Sequence, residues 1–305
     1  MMQIAYDYIY KTKNMKKECD FFNMEHKKVR IILFFAFFTF LSSFCPLSHY
    51  KSDKNDFSSF ASDSNFHTAH NPPINTQFVL RGKTIDIAVD DDKDAKAYFI
   101  KSSTGSSKYL ILFHEWWGLN DHIKHTADAF SDSLSEINVI ALDLYDGLVA
   151  DKPDKASQIM TSISEERVQR IIKGILRFCG DDAQISTIGW CYGGGWSLQT
   201  ALEHPGQISA CIMYYGMPEQ DTSRLAKLNA PLLGIFAQQD KWITPDMVRS
   251  FEKRLNGLGK KSHIKLYDSK HAFANPSNPN YEKRSAIDAS QIVLRFIRAH
   301  LDILK

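Results

Sequence analysis

Beyond residue 77 the chain alternates two kinds of apolar pattern. Short runs rich in β-branched and aromatic residues recur at 84–89, 97–101, 109–114, 138–144, 184–189, 208–215, 232–237 and 263–267. Several are apolar without interruption, among them YLILF, VIAL, CIMYY and LLGIF. Strands covered on both faces have that character. Between them the spacing lengthens. Val168, Ile171, Ile172, Ile175, Leu176 and Cys179 repeat at three and four, as do Ile287, Leu294, Ile297, Leu301 and Leu304, each set drawing one stripe along a helix. Strands alternating with helices of this length predict an α/β fold, a mostly parallel central sheet with helices on both faces. Only a few residues separate the first two runs, so an antiparallel hairpin is expected at one edge.

The first 76 residues follow neither pattern. Segment 31–45 reads IILFFAFFTFLSSFC, in which twelve of fifteen residues are apolar and none is charged. A membrane-spanning helix needs about 20 such residues. The shorter run behind Lys27, Lys28 and Arg30 suits a secretory signal, with Met24 as a conventional start. Export to a periplasmic or extracellular site is therefore expected, with an uncleaved membrane tether or a lipid on Cys45 as the alternatives. Segment 46–76 holds six serines, many Asn and Asp, and the pair Pro72–Pro73, and reads as a flexible linker. The expected organisation is a leader at 1–45, a linker at 46–76 and one catalytic domain at 77–305, long enough for a sizeable core.

Composition narrows the class. The 305 residues are 44% hydrophobic and 24% charged, which excludes a disordered chain, a multi-span membrane protein and a disulfide-stapled miniprotein. The formal charge is +2, but residues 1–30 alone carry +3, leaving −1 on the rest. A neutral body gives no electrostatic case for nucleic acid.

The chemistry gathers at strand ends. At 189–195 the chain reads GWCYGGG, directly after a strand and before a helical run. A nucleophile elbow has this form: the central residue takes a strained turn above the sheet edge, and its neighbours come too close for a Cβ. The helix that follows aims its positive end at the nucleophile, here Cys191. The elbow predicts an acid and then a histidine further along. Asp240 follows the strand LLGIFAQQ and His271 follows HIKLYD, at spacings of 49 and 31 residues. Cys179 and Cys211 read as small core residues.

These stretches resemble the dienelactone hydrolase family of α/β-hydrolases. The resemblance rests on LFHEWWGLNDHIKHTAD (112–128), VIALDLYDG (139–147), GWCYGGG (189–195), MYYG (213–216), QQDKWITPD (238–246) and SKHAF (269–273). It implies the α/β-hydrolase fold and a Cys-His-Asp triad acting on small carboxylic esters or lactones without metal or cofactor. Cys191 would attack the carbonyl, His271 would serve as base and then acid, and Asp240 would orient the imidazole. The backbone N–H groups of Tyr192 and Trp116 would form the oxyanion hole. Glu115 matches the family glutamate beside the thiol, implied to keep it neutral at rest. Trp117, Tyr145, Trp242 and Phe273 are the candidate substrate-binding aromatics.

One position departs from the family. Four residues after the histidine, where dienelactone hydrolases proper carry an arginine for the substrate carboxylate, this chain has Asn275, with Arg284 and Lys241 as possible substitutes. That argues against dienelactone itself as substrate. His114-Glu115 opens like a zinc-protease motif, but Gly118 stands where the second histidine belongs, and His122 and His125 have no third ligand nearby in sequence. Two readings compete with an esterase: a non-catalytic binding module on the same fold, and a thiol-dependent acyltransferase or peptidase. An oxidising compartment would also threaten a reactive thiol.

Overall fold

The computed structural model describes residues 57–90 and 93–303. The expected leader at 1–45 and the start of the expected linker lie outside the described residues. Among those described, no helix is long and apolar enough to cross a membrane.

After a 3₁₀ turn at Phe57–Phe60 and a short helix α1 (Ser64–Ala69), the chain lays down β1 (Lys83–Ile87), β2 (Ala95–Ile100), β3 (Lys108–Phe113), α2 (Asp121–Ser133) and β4 (Asn138–Leu142). Helices α3 (Pro153–Ser162) and α4 (Glu165–Cys179) lead into β5 (Gln184–Trp190), α5 (Tyr192–Glu203) and β6 (Ile208–Tyr214). The rest is α6 (Thr222–Leu225), β7 (Leu232–Ala237), α7 (Pro245–Gly257), β8 (Ser262–Tyr267) and α8 (Lys283–His300). Each of the eight expected strands is present. They form one sheet in the order β1-β2-β4-β3-β5-β6-β7-β8. The expected edge hairpin is there: β1 pairs antiparallel with β2, and β2 antiparallel with β4. From β4 to β8 every pairing is parallel.

The local causes are visible in the sequence. All residues of β4 and of β7 are buried, because their uninterrupted apolar runs let both faces of the sheet be covered. Helix α4 opens at Ser164, whose side chain accepts from the Arg167 N–H, and closes at Gly180, where φ is 91°. Its apolar stripe buries Val168, Ile171, Ile172, Ile175 and Leu176. A parallel sheet gathers the carboxyl ends of its strands on one edge, and ligand sites in such folds lie there. Glu115, Cys191, Asp240 and His271 all follow strand ends on that edge, after β3, β5, β7 and β8.

The expected linker at 46–76 is corrected for residues 57–70. This stretch is folded and sends side chains into the core: Phe57, Ala61, Phe66 and His70 are all buried. Phe66 meets Phe57 and Phe60 at ring distances of 5.4 and 5.6 Å. Burying three aromatic rings outweighs the polar composition around them. Polar contacts fix the outer side. His67 reaches Asp154 and the Ala61 carbonyl, which also accepts from Ser157 on α3. Further along, the Ile74 carbonyl meets His122 at 2.7 Å and Phe78 stacks on His125. The H-x-x-H pair thus holds down the approach to the catalytic body.

Candidate active site

Cys191 sits at the tip of the turn between β5 and α5, with φ 56° and ψ −118°. A non-glycine residue in this region is strained, at a cost of about 1–3 kcal/mol. Two close approaches hold it there. A Cβ on Gly189 would lie 2.0 Å from the Gly193 carbonyl oxygen, and one on Gly193 would lie 2.3 Å from that of Phe113. The Cys191 N–H donates to the Tyr214 carbonyl at 2.9 Å, tying the elbow to β6. Gly189 and Gly193 are therefore a packing requirement between strand ends as much as a turn preference.

His271 and Asp240 meet as the spacing predicts. The His271 Nδ1 lies 2.6 Å from Asp240 Oδ2, with both side chains buried. The other carboxylate oxygen accepts the N–H groups of Trp242 and Ile243 at 2.9 and 3.0 Å. Asp240 is thus fixed before it meets the imidazole, and Nδ1 is the nitrogen that carries the hydrogen. That leaves His271 Nε2 as a lone pair, buried and without a partner. A ring nitrogen of His271 and the Cys191 sulfur lie within 4.8 Å of each other.

The electrostatics keep the thiol neutral. Burial pushes the Cys191 thiol well above its ordinary value, with the charges of Glu115 and then Asp240 acting the same way. The N–H groups of Tyr192 and Trp116 oppose the shift, which places both expected oxyanion donors against the sulfur. Glu115 is itself buried, and burial pushes its carboxyl up to about 7 despite the pull of His271 and a hydrogen bond. That bond comes from Asn275 Nδ2 at 2.7 Å. The residue standing in the arginine position therefore holds Glu115 with a neutral donor. His114 is structural: its Nε2 accepts the Leu144 N–H and its Nδ1 meets the Glu115 carbonyl.

The four aromatic candidates divide. Trp242 is half-buried, its ring 6.0 Å from that of His271, and its Nε1 donates to Asp63. Tyr145 lies behind the elbow against His114 and Tyr192, and Trp117 packs on Trp116. Phe273 is fully buried between Tyr267 and Tyr215, a core position. Four residues at the site were not anticipated. Tyr215 has φ 34°, a ring 5.0 Å from His271 and a buried hydroxyl without a partner. Asn275 stands out in the sequence only as a departure from the family. Phe66 and His70 come down from the 57–70 segment to ring distances of 6.4 and 5.2 Å from His271. The signal for these last two was faint: aromatics at 57, 60 and 66 in an otherwise polar stretch, with Asp63 poised to cap a helix.

A mostly parallel sheet with a strained residue on a glycine-lined strand-to-helix turn defines the α/β-hydrolase class. Within it, the sequence profile of the dienelactone hydrolase family matches residues 95–301, and the chain belongs to that family. Protein usf of Aquifex pyrophilus is 29% identical over 205 residues, 63% of this chain and 88% of that protein. A carboxymethylenebutenolidase of Rhodococcus opacus is 23% identical over 216 residues, 66% of this chain and 85% of that one. Among solved structures, a dienelactone hydrolase-like promiscuous phosphotriesterase from metagenomic libraries has a TM-score of 0.61 at 15% identity. It covers 73% of this chain and 99% of that one.

Proposed function

We propose that this hydrolase cleaves small carboxylic esters or lactones through an acyl-enzyme on Cys191. The observation that carries the reading is the meeting of Cys191, His271 and the anchored Asp240 beneath two backbone N–H groups. His271 Nε2 takes the thiol proton as the sulfur bonds to the carbonyl carbon. The carbonyl oxygen becomes an oxyanion held by the N–H groups of Tyr192 and Trp116. Collapse breaks the bond to the leaving oxygen, which receives the proton from His271. Water, deprotonated by His271, then releases the acid and restores the thiol. A thiol protonated at rest gives a nucleophile only when a carbonyl and the base are both in place.

The related carboxymethylenebutenolidase supports a small ester or lactone as substrate class. Asn275, a neutral amide beside Glu115, favours an uncharged substrate over one bearing a carboxylate. Export through the 31–45 segment belongs to the same proposal, and the mass of the mature N-terminus tests it.

The test is hydrolysis of activated aryl esters by the reduced full-length chain, with mass spectrometry of the stalled intermediate. We expect turnover, an acyl adduct on Cys191, and a loss of at least about 10³-fold in Cys191→Ala. An inactive wild type whose Cys191 also resists acylating probes would sink the reading and favour the binding module. Faster cleavage of amides than of matched esters would move it to the peptidase.

A further inference from the structure

Two imidazoles, not one, face the thiol. His70, at the end of α1, is buried, and its ring lies 5.2 Å from that of His271. Its Nδ1 is 2.7 Å from the Phe66 carbonyl oxygen. A carbonyl only accepts, so Nδ1 carries the hydrogen and Nε2 is a bare lone pair. That Nε2 is buried and has no partner, as is the Nε2 of His271. A histidine buried only for packing normally has both ring nitrogens satisfied. Cys191 has one S–H proton and can serve one of the two lone pairs. A lone pair left bare in a low-dielectric pocket is costly.

One ring nitrogen each of His70 and His271 and the Cys191 Sγ lie within 4.8 Å of one another, and Nε2 is the nitrogen left free on both rings. Across a tetrahedral zinc such atoms lie roughly 3.4–3.6 Å apart, so a small inward movement completes the geometry. The supporting shell is already that of a metal site. Ligating histidines usually donate their other N–H to a carboxylate or a backbone carbonyl, and here one donates to Asp240 and the other to Phe66. One thiolate and two imidazoles without a carboxylate favour a borderline-soft ion over magnesium or calcium.

We propose that His70, His271 and Cys191 form a three-ligand site for a zinc-class divalent cation. On binding, the S–H bond breaks, its proton goes to solvent, and the thiolate and the two Nε2 lone pairs each form one bond to the ion. The fourth position is left to water. Binding ties segment 57–70 to the body and consumes both the nucleophile and the base lone pair. The geometry alone supports the metal site; its consequence, that metal and ester turnover exclude each other, rests on the function proposed above.

The experiment is a titration of the metal-free, reduced full-length chain with Co²⁺, then with Zn²⁺ against a chromogenic chelator. One ion per chain and a thiolate-to-cobalt charge-transfer band are expected. Cys191→Ser should abolish the band. His70→Phe keeps the ring packing but has no lone pair, and should weaken binding at least about tenfold, the smallest loss typical even of outer-shell partners. X-ray absorption at the zinc edge of the unmodified chain, expected to show one sulfur and two imidazole neighbours, decides the ligand set without any substitution. Binding that is not stoichiometric, or a zinc environment without sulfur and two imidazoles, overturns the site. Ester hydrolysis assayed on the same samples separates the two readings. Stoichiometric metal with no turnover in the metal-free chain keeps the site and removes the hydrolase, whereas turnover untouched by bound metal removes the exclusion.

Discussion

Between β5 and α5 the chain closes on itself backbone to backbone. Gly189 faces the Gly193 carbonyl and Gly193 faces Phe113 and His114, with no room for a methyl group. Over residues 57–70 the contact with the body is made by side chains instead: Phe66 against Trp116 at 5.0 Å and Trp242 at 5.2 Å, and Phe57 against Tyr192 at 6.4 Å. Both regions converge on one sulfur, yet they fail differently. A backbone contact has a single geometry and is lost all at once. A ring contact can be loosened or released while the sheet stays folded. The elbow is thus suited to holding a strained cysteine, and the covering segment to admitting or excluding what reaches it.

The sharpest way to break this contrast is Gly193→Ala. The new Cβ would sit 2.3 Å from the Phe113 oxygen and 2.4 Å from the His114 oxygen, both backbone atoms that cannot move aside singly. We expect a loss of at least about 3 kcal/mol, the upper end for overpacking, read as a lower urea midpoint with unchanged slope. A variant as stable as wild type would mean that the elbow is not a rigid backbone contact.

Glu115 lies where the two regions meet, and its effect is next in size. Its folded pKa of about 7 is above the ordinary value of 4.5. Below about pH 4.5 both folded and unfolded chains hold the proton, and the group is neutral in its effect. Between 4.5 and 7 the unfolded chain releases it first, so stability falls as pH rises, and above 7 the penalty is complete at about 3 kcal/mol. Glu115→Gln should remove it: the variant gains stability over wild type between pH 5 and 8, measured by denaturation across that window. Because the Glu115 charge also raises the thiol pKa, Cys191 in the variant should react faster with alkylating agents at a given pH above 7, where the wild-type carboxyl is ionised.

What could be read from the sequence divides along the same line as the two regions. Strands β3, β4, β6 and β7 were legible because each carries its own apolar run, and a buried parallel strand needs little else to identify it. Cys191, Asp240 and His271 were legible because an elbow needs glycines at fixed offsets and the other two follow strand ends. Segment 57–70 was not, because its stability depends on partners at 116, 192 and 242 that no local pattern names. Phe273 shows the same limit from the other side. An aromatic next to His271 in sequence looks like a pocket wall, and only the packing against Tyr215 and Tyr267 shows it to be core.

Phe66→Ala tests whether the covering segment is separable. Truncating a buried phenylalanine in a unified core costs about 3–5 kcal/mol. If the segment opens on its own, the loss stays local. Global stability should then shift by under about 1 kcal/mol, while amide protection across 57–70 falls with that of the sheet unchanged. A drop of the full core magnitude in global stability would make the segment and the sheet one cooperative unit.

The smallest effect is the most discriminating about the elbow. Gly195 completes the glycine run of GWCYGGG, yet a Cβ built on it meets nothing closer than the Met217 nitrogen at 3.9 Å. It lies in the first turn of α5 at an ordinary helical angle, not in the left-handed region. If the run were one crowded block, alanine here would be destabilising, as at Gly193. If crowding ends at the residues facing β3 and β6, alanine restricts the unfolded chain and should stabilise by about 0.5–1 kcal/mol. Equilibrium urea unfolding of Gly195→Ala reads the sign directly. A gain would confine the backbone contact to Gly189, Gly193 and Gly194, the last because a Cβ on it would lie 2.7 Å from the Tyr214 oxygen, and leave the third glycine of the run with no packing reason to be glycine.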